Sequence, residues 1–375
     1  MPVQPSDPTT LHPLPDEAVA SATLRVSYFG TYERAYPRNA QVISCLRGAG
    51  VDVHEEHVSV WDDVREGWSA GPTQAVRLAV AEARLFLRRP LASDVLIVGY
   101  PGHFDLPAAR HAARGRPIVF NPLVSLADTI VGDRGRFGHN SFPARALERV
   151  DRHAFRTADA VVADTETHAC FLGELTGRSD IDVCFVGAED RLFQPGWKVP
   201  EHFHVLFVGK LIPLQGIETI VAAARAAPEV PFRIVGSGQL ESVLAAAPAN
   251  VEHVPWVDYE RLPGELHRAG CALGIFGTTP KAQRVIPNKA FQAIACGVPL
   301  VTADTPAARE LLVDGESAVL VPPGDPEALA AAVRRLTADA ELAERIGAGG
   351  RTAYERAASE DVLGQRWRAL IERVA

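Results

Sequence analysis

Charge and amide side chains concentrate between Lys281 and Glu310, in KAQRVIPNKAFQAIACGVPLVTADTPAARE. The pattern predicts a polar loop, a short helix over Pro287–Ala295, a buried strand and a second loop-to-helix turn. Pro287 suits the first turn of a helix, where its missing N–H would be unsatisfied anyway and its φ is preset. Ala290 to Ala295 are good helix formers, and Gly297 stops the helix before Val298-Pro299. The start of such a helix is an anion site, with free N–H groups and the positive end of the dipole. Asn288, Lys289 and, one turn on, Gln292 are polar where a buried helix would be apolar. The chemistry that asks for this is the holding of a phosphate or a sugar.

A second segment offers the same chemistry. Val208 to Glu218, VGKLIPLQGIE, reads as strand, glycine-containing loop and helix. Gly209 lets the backbone approach a ligand, Lys210 supplies a cation, and the following helix presents its N-terminus. Gly236-Ser237-Gly238 forms another glycine-rich loop after a strand, a weak signal alone. Trp256-Val257-Asp258 also follows a strand and suits either the flank of a nucleobase or the core.

The first half has its own polar loops at strand ends: 30–39, 100–105 and 121–128. They carry Tyr32, Glu33, Arg34, Arg38, His103, Asp105, Ser125 and Asp128. In open α/β sheets ligands sit beyond the carboxyl ends of the strands, so these residues make a polar cleft wall. His103, in Gly-His-Phe-Asp, stands where a general base or sugar-binding imidazole belongs; a loop histidine satisfied by backbone is the alternative. Arg110, His111, Arg114 and Arg116, with Arg134 and Arg136, are a solvated basic face or a surface for an anionic acceptor.

The elements that position these groups alternate along the chain. Apolar runs at 24–30, 51–58, 94–100, 117–121, 160–163 and 181–186 alternate with helical patterns at 38–49, 73–87, 142–157 and 166–176, the signature of a parallel sheet covered by helices. The second half repeats it, with strands at 203–208, 232–235, 251–254, 272–276, 300–303 and 318–321. Its helices fall at 217–226, 240–246, 261–268, 287–295, 307–313, 327–337 and 340–355. Two α/β halves, 23–190 and 203–358, are joined by a linker over 191–202 that holds Pro, Gly and Trp197. The final stretch, 359–375, places Leu363, Trp367, Leu370 and Ile371 at helical spacing and can pack back across the hinge.

Composition narrows the function. At 375 residues, two domains are the natural expectation. A net charge of −8 argues against nucleic acid as a partner. The five cysteines form no C-x-x-C pair, so zinc is not expected, and buried thiols in a reducing cytoplasm are. Residues 1–22, rich in Pro and acidic side chains, read as a disordered tail and not a signal peptide. No apolar run approaches the ~20 residues of a membrane span. A cytoplasmic protein with at most peripheral membrane contact is expected. After the first strand there is one glycine where G-x-G-x-x-G needs three, which argues against NAD or FAD. Only four of 38 basic residues are lysines, at 198, 210, 281 and 289. Where arginine is the default cation, a retained lysine suggests a compact point charge is wanted.

Taken together, GAEDRLFQP, LFVGKLIPLQGIETIVAA, VGSGQL and FQAIACGVPLVTADTPAARELLVDGESAVLVPPGDPEAL resemble the retaining nucleotide-sugar glycosyltransferases of the GT-B fold, specifically glycosyltransferase family 4. The resemblance covers most of 187–374 and, more loosely, the first half. It implies two Rossmann-like domains facing across a cleft, an acceptor domain and a donor domain, with the last helix crossing back to the first. In such enzymes an Arg and a Lys in the first βα loop of the donor domain hold the diphosphate. Here those places fall at Lys210 and Gln215, so Arg284, Lys281 or Lys289 would supply the missing charge. The family also carries two Glu eight residues apart, one at the donor sugar and one at the ribose. Those places fall at Arg284 and Gln292 here; Gln292 keeps hydrogen-bonding capacity toward ribose, whereas Arg284 does not imitate a carboxylate.

The likeness implies transfer of a sugar from a nucleoside-diphosphate sugar, UDP first and GDP second, to a small-molecule or glycan-precursor acceptor. Retention is expected, and no metal or cofactor. His103, Lys210 and Arg284 are the catalytic candidates. Gly209, Lys210, Gly236, Ser237, Val257, Arg284, Asn288, Lys289 and Gln292 would hold the nucleotide and diphosphate. Tyr32, Arg38, His103, Ser125 and Asp128 would face donor sugar and acceptor. Two alternatives remain: a nucleotide-sugar 2-epimerase on the same architecture, which needs further carboxylates in the cleft, and a nucleotide-sugar-binding partner subunit without catalysis.

Overall fold

The computed structural model describes residues 23–34, 36–60, 72–88 and 92–375. The expected tail over 1–22 lies outside them. The first sheet holds β1 (Arg25–Gly30), β2 (Asp52–His57), β3 (Val95–Val98), β4 (Ile118–Phe120), β5 (Ala160–Ala163) and β6 (Ile181–Val183). They are all parallel, in the order β2-β1-β3-β4-β5-β6. Its helices are α1 (Pro37–Gly48), α2 (Pro72–Leu87), α3 (Leu106–Ala113), α4 (Phe142–Thr157) and α5 (Glu166–Thr176). Runs such as VLIV in β3 and AVVA in β5 are buried throughout because helices cover both faces of the sheet. The polar DVHEEH of β2 is tolerated because β2 is an edge strand.

The second sheet holds β7 (Val205–Val208), β8 (Phe232–Val235), β9 (Val251–Val254), β10 (Cys271–Leu273), β11 (Leu300–Ala303) and β12 (Val319–Val321). Its order is β12-β11-β10-β7-β8-β9, again parallel. With it go α6 (Ile217–Ala226), α7 (Leu262–Arg268), α8 (Asn288–Cys296), α9 (Pro306–Arg309), α10 (Pro326–Ala338), α11 (Ala340–Ala357) and α12 (Glu360–Val374). The strand order reverses between β1 and β3 in the first sheet and between β7 and β10 in the second. Such switch points open the crevices in which doubly wound sheets bind ligands.

α12 does cross back. Leu363, Trp367, Leu370 and Ile371 are buried, and the helix packs along α1. Gly364 permits the close crossing: a Cβ there would stand 2.6 Å from the Cys45 carbonyl oxygen. Among the described residues no helix is long and apolar enough to span a membrane.

The helix expectations need correction in several places. α3 has no counterpart among them, because LPAARHAA is short and its apolar face is mostly alanine. A π-helix over Asp128–Asp133 begins where the expected loop 121–128 ends, in a stretch where no element is expected. Residues 241–246 form a 3₁₀ helix with no buried residue, and the expected helix over 307–313 shortens to α9. Pro287 is the N-cap of α8 with extended backbone, one position before the first helical turn. Gly297 ends α8 in the left-handed conformation as expected, at φ 77°.

Candidate functional site

Three loops converge at the switch point of the second sheet. The loop after β7 runs through Gly209 and Lys210 into a 3₁₀ turn at Pro213–Gln215. The loop after β10 is tied to it by the Phe276 N–H, which donates to the Gln215 carbonyl at 3.1 Å. The loop after β8 carries Gly236 and Ser237. Glycine is required at the contact between the first and third loops, where φ is 157° at Gly209 and 143° at Gly236. A Cβ on Gly236 would lie 1.9 Å from the Gly209 carbonyl oxygen, and a Cβ on Gly209 would lie 2.7 Å from Lys289 Nζ.

That second distance identifies the centre of the site. Lys289, in the first turn of α8, donates from Nζ to Gln215 Oε1 at 2.5 Å and lies 3.6 Å from the centroid of the Phe207 ring. Burial pushes its pKa well below the ordinary lysine value. A cation held among a ring, an amide and glycine backbone at a helix start suits a phosphate group. Lys210 is exposed beside this cradle, and Ser237 is exposed with its carbonyl oxygen accepting from Leu211 N–H. Asn288 is half-buried at the start of α8. One turn along α8, Gln292 is buried and its Nε2 stands 3.4 Å from the Tyr259 hydroxyl. Val257 is half-buried against the core, whereas Trp256 is 71% exposed. Tyr259 has no place among the residues expected from sequence. It sits in a 3₁₀ turn after β9, and nothing local marks it.

Four residues expected on the donor-sugar and acceptor side are internal supports instead. Tyr32 is fully buried and donates its hydroxyl to Glu55 at 3.0 Å. Arg38 is fully buried, donating to Asn121 Oδ1 at 2.9 Å and to the carbonyls of Cys184 and Phe185 at 2.9 and 2.8 Å, with its guanidinium 5.6 Å from the Trp367 ring centroid. Ser125 donates to Asp151 Oδ2 at 2.7 Å. His103 has no exposed side-chain surface. Its ring packs edge-on against Phe120 and Phe155, and Nδ1 bonds the Pro101 carbonyl. Nε2 lies 3.3 Å from Asp151 Oδ1 without hydrogen-bond alignment. Burial lowers its pKa, against the opposing pull of Asp151. In the structure His103 is a buried loop histidine held by backbone at Nδ1, with Nε2 left without a hydrogen-bond partner. Position beyond a strand end made these residues candidates, but it does not say whether a side chain turns toward the cleft or back into the domain.

Asp128 does face the second domain. Arg284 Nη2 donates to Asp128 Oδ1 at 2.6 Å, with the side chains only 15% and 14% exposed. The Arg284 guanidinium also covers the Phe171 ring at 3.8 Å, and its carbonyl accepts from the Thr165 hydroxyl. Nearby, Lys281 Nζ donates to Thr129 Oγ1 at 2.7 Å, so this lysine serves the domain contact and not the phosphate cradle. Glu310 accepts from the Glu166 and Thr167 N–H groups at 2.7 and 2.8 Å, saturating the start of α5 from the other domain. Arg284 thus stands in a clasp between the domains, a role its sequence neighbourhood does not suggest.

Residues 202–339 match the family model described as glycosyl transferases group 1. The chain is 33% identical over 162 residues to a phosphatidyl-myo-inositol mannosyltransferase of Mycobacterium leprae, covering 40% of this chain and 42% of that protein. It is 27% identical over 254 residues to a D-inositol 3-phosphate glycosyltransferase of Rhodococcus erythropolis, covering 60% and 56%. It thus spans about half the length of these curated relatives. Among solved structures it resembles a sucrose-phosphate synthase of Thermosynechococcus elongatus, with TM-score 0.71, 17% identity and coverage of 93% and 98%. It also resembles Anabaena HepE in complex with UDP-glucose, with TM-score 0.68, 14% identity and coverage of 94% and 99%. At these identities the likeness shows the fold, which is GT-B.

Proposed function

We propose that this chain, whose second domain belongs to the glycosyl transferases group 1 family, transfers a sugar from a nucleoside-diphosphate sugar to a small-molecule or glycan-precursor acceptor. The observation that carries the reading is the Lys289–Gln215 contact inside the Gly209–Gly236 cradle. The family's lysine place is occupied by Gln215, and the ammonium that touches that amide comes from α8 instead. A cation therefore stands where the departing diphosphate would need one. Lys210 and the N-terminus of α8 add to it, so the reading requires no metal. Gln292 and Tyr259 would offer donors and acceptors to ribose hydroxyls. UDP is the first base to test, because HepE was solved with UDP-glucose. Retention is proposed on family likeness.

The test is thermal unfolding of the protein with UDP, GDP, ADP, dTDP and NAD, each with and without Mg²⁺, followed by turnover assays with the matching nucleotide sugars. A ligand that binds only the native state raises the midpoint by mass action. A metal-independent shift with one nucleoside diphosphate, lost in Lys289→Ala, supports the reading. No shift with any of them would reduce the cradle to a structural feature.

A second reading has its own observation. Arg284 stands where the family carries a carboxylate and is engaged by Asp128, which favours a nucleotide-sugar-binding subunit without catalysis. Arg284→Ala separates the two: an enzyme loses turnover, while a binding subunit changes only in affinity.

A further inference from the structure

The guanidinium of Arg284 makes an incomplete pair. Nε and Nη2 of an arginine form a flat fork that matches the two oxygens of a carboxylate. Elsewhere in the chain that fork is filled. Arg309 reaches Asp304 through Nε at 2.5 Å and Nη2 at 2.7 Å, and Arg178 reaches Asp180 through the same atoms at 2.9 and 2.6 Å. Arg284 fills half of it. Nη2 donates to Asp128 Oδ1 at 2.6 Å, while Nε is buried and has no partner. A charged N–H shielded from water and left without an acceptor is costly, so this atom calls for one.

The carboxylates of the domain contact do not supply it. Asp133 accepts from the Thr279 hydroxyl at 3.4 Å, Asp164 is bonded to His168, and Glu310 holds the start of α5. The Phe171 ring lies 3.8 Å from the guanidinium and covers one of its faces, so the edge is what remains for a ligand. Arg284 stands on the 3₁₀ turn just before Pro287 and α8, in the same segment of chain as Lys289. A ligand group taken by Arg284 is held by the same domain as the diphosphate, which describes the donor's own sugar better than an acceptor.

We propose that the sugar transferred is a uronic acid, carried on UDP, whose carboxylate takes both Nε and Nη2 of Arg284 in place of Asp128; this rests on the donor reading above. Asp128 is then an internal carboxylate that holds the guanidinium ready with one contact and yields to a ligand offering two. A neutral sugar has only hydroxyls to offer there, and these do not compensate a guanidinium that is shielded from water and parted from its carboxylate.

The test is calorimetric titration of the full chain with UDP-glucuronate and with UDP-glucose, no acceptor being present. The two ligands differ only at C6 of the sugar, so the ratio of their affinities cancels every contact to base, ribose and diphosphate. The parent should prefer UDP-glucuronate about tenfold or more, the range of a charge-assisted hydrogen bond. Arg284→Gln should bring the ratio to about one, since both sugars then meet a neutral amide. Arg284→Lys keeps the charge without the fork and should keep only part of the preference. Asp128→Asn removes the internal competitor and should raise it. Arg284→Gln leaves Asp128 without its partner, so the double variant Asp128→Asn, Arg284→Gln carries the same test if the single one unfolds; thermal unfolding reports on both. A parent with no preference, or a preference that survives in Arg284→Gln or the double variant, overturns the proposal and leaves the transferase reading standing. Binding of neither UDP-sugar overturns it as well, and the screen of nucleoside diphosphates then decides whether the transferase reading falls with it.

Discussion

The ammonium of Lys289 meets the side-chain oxygen of Gln215 at 2.5 Å across 74 residues of sequence. The contact makes one position in space out of two in the chain, so the cation can be exchanged between them. Lys289→Ala should weaken nucleoside diphosphate binding about tenfold or more, the range of a charge-assisted hydrogen bond. The double variant Gln215→Lys, Lys289→Gln returns a cation to the cradle from the other side and should recover most of that loss. Calorimetric titration of the two proteins checks this; a double variant no better than Lys289→Ala would mean that the backbone position of the cation is what matters.

The same lysine predicts a pH dependence. Burial disfavours its charged form and lowers its pKa in the empty site. A bound diphosphate adds opposite charge beside it and raises that pKa. Binding therefore takes up a proton in the window between the two values, and affinity falls as pH rises through it. Stability runs the other way. Because the unfolded chain holds the proton more tightly than the empty fold, stability gains as pH rises from the lowered pKa to the ordinary lysine range. Lys289→Met should flatten both profiles, whereas the ligand's own phosphate titration persists in the variant. Titrations in buffers of different ionisation enthalpy report the proton uptake directly.

Much of this architecture is legible in the sequence, and the limits are physical. Twelve candidate segments correspond to the twelve strands. Interior ones such as VLIV and AVVA read as unbroken apolar runs because they are buried on both faces, whereas the edge strands DVHEEH and VEHV carry polar side chains. The cradle is marked by Gly209, Gly236 and the polar start of α8, since glycine and amide groups have few other reasons to stand at those turns. The pairing of Lys289 with Gln215 is not legible, because it depends on how two loops meet. The direction of a side chain at a strand end is equally hidden. Arg38 and Asp128 look alike as polar residues beyond strands, yet one is internal and the other reaches the second domain.

Arg38 leads to a prediction about stability alone. Its three hydrogen bonds join the end of β4, through Asn121, to the backbone after β6, and its guanidinium approaches Trp367 of α12. Removing it leaves two carbonyls and an amide oxygen buried without their donor. Arg38→Ala should cost about 3 kcal/mol, seen as a lower midpoint of thermal unfolding. The folded variant should keep the parent's affinity for nucleoside diphosphate within about twofold, the margin allowed for a distant site. A large loss of affinity without a loss of stability would return Arg38 to the binding site.

Asp128 and Arg284 decide whether the clasp between the domains also controls the cleft. The pair is mostly shielded from water, so its partners should couple by about 2 kcal/mol in a double-mutant cycle on unfolding, above the range of exposed pairs. Two outcomes then separate its roles. If the clasp is only an interface, Asp128→Asn and Arg284→Ala lower stability alike, and neither moves the affinity of the remaining folded protein for nucleotide. If Arg284 is shared between Asp128 and a bound diphosphate, the variants diverge. Asp128→Asn frees the guanidinium for the ligand and tightens binding, whereas Arg284→Ala removes it and weakens binding. We expect divergence. Arg284 sits on the 3₁₀ turn just before Pro287 and α8, in the same segment of chain as Lys289. Affinities of the parent and both single variants, measured at one pH and salt concentration, decide between the two.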